Sequence, residues 1–515
     1  MDPRPASTRN LPPGPAADPL AVALGNASLL GIGYLMMRRR GLAFGALAVT
    51  IALAVALALV ARFTWFEYVV LLWWALVVVH GWWLAGRGLR HENSAQKRRQ
   101  RLTGLAAALV VLSAVGYLRL DAYRIHQEAA AAHRAGDCTR ALATLDGLWA
   151  GHRVADSPLT ARAEDESAAC RLLVTAERQA AADRLLAART LETYHAHPGA
   201  LWQGVDGRRA DLFLAQATSD LTAGLTGDTK ALESGFGHLA QALNEAAGQE
   251  AKAGKVLDDF LNALPTKDAC ETRTITDWLA KRPSGDPVLD RAAEIVPKVA
   301  PAAIVGCGDA LAKDKEWKKA KAQYEQFLDQ YPKNDLAGRA KEGKEKAVLQ
   351  IELANVRKLL KGGEPKYCKD PAPYHGAKPY RGKGPHRAIL IGQGGHRTKL
   401  PSSWLTKDPA KAVLVICAGK SKHGTPVRTC PYRSLTGSYP YTVNVTFKKR
   451  KIPVRVYELR TGKRVGPHSV QIGGSACPRR IHYTYYITDY GPPSEMYVKS
   501  SKSDIRAAYG TLIRP

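Results

Sequence analysis

Acidic residues nearly vanish from the last 155 residues of this chain. Seven Asp and Glu stand there against 29 Lys and Arg, so that the stretch carries a net +22 of the chain's +28. Glu364, Asp370, Asp408, Glu458, Asp489, Glu495 and Asp504 are scattered, which argues against a hydrolase built on two carboxylates a few ångströms apart. Cysteine is absent before Cys138, and no short C-x2-C or C-x2-H clamps occur, so a zinc site is not expected. Residues 1–19 carry proline instead of a basic n-region, which argues against a cleaved signal peptide and reads as a disordered tail. Gly392-Gln393-Gly394-Gly395 follows the apolar run 388–391 as a phosphate-cradling turn would. It lacks a Gly-Lys-Ser/Thr ending and is followed by Pro401, so a plain loop is expected. His375, His386, His396, His423, His468 and His482 show no metal-clamp spacing. No catalytic residues, cofactor or metal are therefore assigned, and the chain is not expected to be an enzyme.

What the chain does have is a run of apolar blocks between residues 20 and 120. Residues 20–37, 42–62, 66–85 and 103–118 approach the length that spans a hydrocarbon core, so four transmembrane helices are expected. The first block is thinned by Gly25, Asn26, Ser28, Gly31 and Gly33, and its alternative is an interfacial helix. Arg38, Arg39 and Arg40 precede the second block. Arg87, Arg90, Lys97, Arg98, Arg99 and Arg101 lie between the third and fourth. Basic loops stay cytoplasmic, so both connectors face inward and everything after residue 120 is expected outside a plasma membrane. Trp65, Trp73, Trp74, Trp82 and Trp83 suit the interface in part, and Glu67 and His80 are the titratable groups to watch in the third block.

All eight cysteines follow the last apolar block, an even set that fits disulfides in an oxidising exterior. Spacing does not determine connectivity, and the simplest pairing is Cys138–Cys170, Cys270–Cys307, Cys417–Cys430 and Cys368–Cys477. Residues 121–361 are rich in Ala, Leu, Glu, Lys and Arg, with Gly and Pro at helix-length intervals, which predicts an antiparallel helical array. Within it Gly308, Leu311, Ala320, Tyr324 and Pro332 resemble one tetratricopeptide repeat, and Gly136 to Leu145 is a fainter echo. Ile304, Cys307 and Leu311 depart from the tryptophan, leucine and tyrosine of that repeat. The resemblance implies a concave protein-binding surface without catalysis.

Residues 362–386, dense in Gly, Pro, Lys and Tyr, read as a linker into a domain over 387–515. There the pattern turns to alternation over 387–392, 411–418, 441–447, 452–460, 465–472 and 481–487, with Thr461-Gly462-Lys463 as a hairpin turn. A small all-β domain, an antiparallel sandwich or barrel, is expected. Lys448, Lys449, Arg450, Lys451, Arg479 and Arg480 are its densest cations and the candidate polyanion-binding residues, with tyrosines such as Tyr439 and Tyr483 nearby as stacking surfaces.

In composition and layout the chain resembles membrane-anchored proteins of high-GC actinobacteria, a likeness that implies no particular activity. The expectation is a multi-domain membrane protein: a helical transmembrane bundle, a repeat-like helical array that docks a protein partner, and a basic β-domain held on an anionic wall polymer or lipid headgroups. Nucleic acid is not an expected partner. The alternatives are a membrane sensor or transport accessory, and an envelope enzyme with its site in the β-domain.

Overall fold

The computed structural model describes residues 17–59, 64–87, 94–362, 366–435, 438–439 and 441–514. Most of the Pro-rich tail, part of the connector between the second and third apolar blocks, Arg90 and Glu364 lie outside the described residues. The chain divides into two compact units, residues 1–263 with 283–292, and residues 264–282 with 293–515. These limits differ from the composition steps at 120 and 361.

The first unit begins with α1 (Pro19–Ala27) and α2 (Ile32–Met36), then α3 (Arg40–Leu59), α4 (Thr64–Gly86) and α5 (Ser94–Arg134). The continuous helix expected over 20–37 is broken between α1 and α2. Leu29 and Gly31 adopt positive φ, and at Gly31 a Cβ would meet the Ala43 carbonyl oxygen at 2.9 Å, so only glycine fits. Asn26 is fully buried on α1 and donates to the Val77 carbonyl of α4. The helices α3, α4 and α5 are long and apolar enough to cross a membrane, and a fourth candidate runs over Pro287–Lys313. Phe44, Leu72 and Val110 on the first three are about two-thirds exposed, as lipid-facing side chains would be.

At 41 residues, α5 is about 60 Å long, roughly twice a hydrocarbon core. It runs without interruption through residue 120 and packs its far half, including Ala129 and Ala132, against helices that follow. These are α6 (Cys138–Leu145), α7 (Ala150–Ala155), α8 (Ser157–Ala180), α9 (Arg184–His195), α10 (Val205–Gly224), α11 (Thr229–Glu245) and α12 (Glu250–Asn262). Asp137, Asp156, Asp183 and Asp228 each accept backbone N–H groups at the start of the helix that follows, capping it. Alanine at 169, 176, 187 and 188 lets helix backbones approach around Leu173, Leu191 and Tyr194. Next in sequence, α13 (Ala269–Lys281) belongs to the second unit and the single turn α14 (Pro287–Asp290) to the first.

In the second unit, α13 packs on α15 (Val296–Lys313), which packs in turn with α16 (Trp317–Gln330) and α17 (Ala337–Leu359). Ile304 and Val305 of α15 are buried in this core with Tyr324 and Phe327, so much of the apolar character of α15 is accounted for by packing. Gly308 on α15 and Ala320 and Tyr324 on α16 meet in a helical hairpin, with Leu311 partly buried and Pro332 just beyond α16.

The sheet of the second unit holds β1 (Ala388–Ile391), β2 (Leu414–Ala418), β3 (Lys422–Tyr432), β4 (Val443–Glu458), β5 (Arg464–Val465), β6 (Ser469–Ile472) and β7 (Glu495–Tyr497). Its order is β1-β2-β4-β3, and β5, β6 and β7 also pair with β4. The expected antiparallel sandwich or barrel is corrected to an open mixed sheet: β1 and β2 are parallel, as are β4 and β7, and the described residues form no closed barrel. Parallel strands need a crossover of a dozen or more residues, and residues 392–413 supply one containing the single turn α18 (Gly394–Arg397). A last helix, α19 (Lys502–Ile513), places Ile505, Tyr509, Leu512 and Ile513 in the same core as β1, β2, β4 and β6.

The two strands expected over 441–447 and 452–460 are one strand, β4. Val445 and Phe447 face one core, and Ile452, Val454 and Val456 face another. Odd positions are buried before the basic run and even positions after it, so β4 changes its core-facing side at residues 448–451. The turn at 461–463 is present, with Val456 opposite Val465 and Ile452 opposite Val470. Residues 481–487 form no strand, and Tyr486 and Ile487 lie almost fully in solvent.

Candidate anion-binding clefts

All eight cysteines are bonded. Cys138–Cys170 and Cys270–Cys307 pair as expected, whereas the remaining four pair as Cys368–Cys417 and Cys430–Cys477, correcting Cys417–Cys430 and Cys368–Cys477. The reason lies in the register on β4. Cys417 stands opposite Arg455 and Cys430 opposite Val445, ten residues apart along one strand, or about 33 Å. That is far beyond the reach of a disulfide. With Cys417 bonded to Cys368, no free thiol stands at that position for nucleophilic chemistry. Buried His133 lies beside Cys138 and Cys170, but those sulfurs bond each other and its Nε2 lies 2.9 Å from the Tyr194 hydroxyl.

The six candidate polyanion-binding residues fall in three places. Side chains alternate across a strand, so Lys448 and Arg450 lie on one face of β4 and Lys449 and Lys451 on the other. Lys448 is ion-paired with Glu495, which also accepts from His423 Nδ1 at 2.7 Å. These two partners hold the Glu495 carboxyl below the ordinary carboxylate range. Arg450 lies over the Tyr497 ring, 4.1 Å from its centre, and donates to Ser421. This pair of cations is engaged within the fold. Lys451 directly faces Lys422 of β3, a like-charge cross-strand pair that disfavours folding.

Arg479 and Arg480 enter a cleft of 550 Å³ beside the Cys430–Cys477 bond, together with Arg433 and the rings of Tyr432, Tyr439 and Tyr483. Asp489 is also in its wall, and Tyr483 donates to it at 2.6 Å; burial, first, and this carboxylate push the phenol upward. Cationic side chains and aromatic faces in one hollow suit a ligand with both charge and a flat or ring-shaped face.

A larger cleft, of 1020 Å³, opens at the carboxyl ends of β1 and β2. Its cations come from four segments: Lys366 and Lys369 from a short turn after α17, Lys420 just past β2, Arg455 from β4 and Arg464 from β5, with the His468 ring beside them before β6. Among the described residues no carboxylate lines it, and none of these groups is in an ion pair. Gly392 and Gln393, from the glycine-rich turn, form part of the wall. A Cβ on Gly392 would sit 2.2 Å from the Ala418 carbonyl oxygen, and Gln393 donates to the Gly419 carbonyl, so the ends of β1 and β2 are tied together. Except for His468, no sequence cluster marks these residues, which are spread over a hundred positions and meet only through the sheet.

The titratable groups of α4 have partners. Glu67 lies 3.6 Å from Arg119, and His80 Nδ1 is 2.8 Å from the Tyr34 hydroxyl. Trp73 and Trp74 donate to Thr50 and to the Ala27 carbonyl and serve helix packing, while Trp65, Trp82 and Trp83 are exposed.

No protein family profile matches the chain, and no curated protein or solved structure is significantly similar to it.

Proposed function

We propose that this chain is a non-enzymatic, membrane-anchored binding protein of the cell envelope. Its apolar helices hold it in the plasma membrane, with the residues after 120 outside the cytoplasm. The helical hairpins around Gly308 and Tyr324 belong to a tetratricopeptide-like surface that docks a protein partner. The C-terminal unit contacts phosphate-bearing envelope polymer or lipid headgroups. Four disulfides favour an oxidising exterior, and the Lys/Arg-rich connectors favour the matching orientation.

The observation that carries the reading is the excess of cations in residues 361–515, five of which, Lys366, Lys369, Lys420, Arg455 and Arg464, line one cleft with no carboxylate among its described residues. Full-length protein in nanodiscs of zwitterionic lipid is expected to bind inorganic polyphosphate or phosphatidic-acid vesicles at low salt, with binding eroded as salt is raised. Absence of binding to both, or binding indifferent to salt, sinks it.

A further inference from the structure

Resting on that reading, we propose that the cleft at the carboxyl ends of β1 and β2 is the seat for phosphate-bearing anions, with Lys420 and Arg455 as its central cations. Three observations separate it from the other basic regions. Its charge is unopposed among the described residues: the Arg479 and Arg480 cleft contains Asp489, and Lys448 is taken by Glu495, whereas no described acid stands in the wall of the β1–β2 cleft. Like charges drawn from four segments repel one another, and an anion in their midst removes that repulsion while gaining charge-assisted hydrogen bonds.

The turn that carries two of the cations is also held in place. Lys366 and Lys369 flank Tyr367 and Cys368, and the Tyr367 ring is fully buried while Cys368 is bonded to Cys417 of β2. Two neighbouring residues thus fix the lysine-bearing turn beside the sheet, so part of the ordering is done before a ligand arrives. Arg455 stands opposite Cys417 on the same face of the sheet, which puts it beside that anchor. Finally, the size fits: 1020 Å³ is at the upper end of small-ligand sites and holds more than one phosphate group, as a polymer or a headgroup cluster presents.

The test uses the full chain in nanodiscs of zwitterionic lipid, with fluorescent inorganic polyphosphate as probe. Lys420→Gln with Arg455→Gln is expected to weaken binding roughly tenfold or more, as loss of charge-assisted contacts should. Arg479→Gln with Arg480→Gln is expected to change it less than about threefold, because those side chains lie outside the seat. A charge-preserving pair, Lys420→Arg with Arg455→Lys, controls for misfolding and should bind like the parent. Flotation with phosphatidic-acid vesicles identifies the source: capture lost in the same neutral variant assigns the anion to a lipid headgroup, and polyphosphate binding without capture assigns it to a soluble polymer.

If the parent binds and the neutral cleft variant binds equally well, the seat is elsewhere, while the broader reading stands. If the charge-preserving pair loses as much as the neutral pair, the loss is structural and the assignment is wrong. If the parent binds neither probe at low salt, both readings fall.

Discussion

The ring of Tyr324 occupies a slot between two glycines, and the sign of one substitution tests whether that slot is what joins α15 to α16. A Cβ on Gly308 would lie 2.6 Å from Tyr324 Cε1, and a Cβ on Gly343 of α17 would lie 2.5 Å from Cζ. The ring is also tethered, because its hydroxyl donates to Asp309 at 2.7 Å. Gly308→Ala gains about 0.5–1 kcal/mol of helix preference, but forcing a methyl into a packed site costs about 1–3 kcal/mol. The clash wins, leaving a net loss of about 1 kcal/mol, which raises local opening roughly fivefold. Hydrogen exchange of α15 and α16 peptides in the full-length protein measures this directly. With the ring removed by Tyr324→Leu, the same Gly308→Ala change should slow exchange instead, because only the helix preference remains. Equal effects in the two backgrounds would refute the slot.

Replacing Cys368 and Cys417 together by alanine opens a link spanning 49 positions, which chain entropy values at about 4 kcal/mol. Exchange at β2 should accelerate accordingly, and unchanged protection contradicts the view that this bond ties the lysine-bearing turn to the sheet. His396 is held below the ordinary imidazole range by burial and by the neighbouring Arg450 and Lys399 cations, and its Nδ1 faces the Tyr509 hydroxyl. Because the folded state favours the neutral ring, its contribution is present above the ordinary imidazole value and lost as pH falls from there toward the lowered one. Protection of α19 should therefore decline as pH falls below the ordinary imidazole value of about 6.5, less steeply in His396→Gln; equal declines exclude His396 as the cause. Glu67→Gln and His80→Gln should leave polyphosphate binding unchanged. A loss there would favour a sensor or transport role over an anchor.

Periodicity made the helical middle and the long apolar helices legible, because Ala, Leu and capping Asp residues act locally. The break between α1 and α2 was marked by Gly25, Asn26, Ser28 and Gly31, yet hydropathy alone could not separate a thinned span from two short helices. The C-terminal unit was harder. β3 exposes most of its side chains and so lacks the apolar alternation that reveals a strand. β4 looked like two strands because its core-facing side changes at Lys448 to Lys451, and a basic run resembles a loop. The helix α19 did leave a signal, Ser501 three residues before Asp504 and then Ile505, Tyr509 and Leu512. The first two disulfides join neighbouring helices and follow from proximity in sequence, whereas the last two depend on strand order. For the same reason the sequence pointed to dense cationic clusters, while the cleft at the ends of β1 and β2 assembles its cations from four separate segments and has no local signature.

The most direct test of the central claim is thiol mapping of the intact cell. A membrane-impermeant reagent should label no cysteine until reductant is added outside, and peptide mapping should return Cys138–Cys170, Cys270–Cys307, Cys368–Cys417 and Cys430–Cys477. Free thiols that become reachable only after lysis would place the C-terminal unit in the cytoplasm and contradict the account.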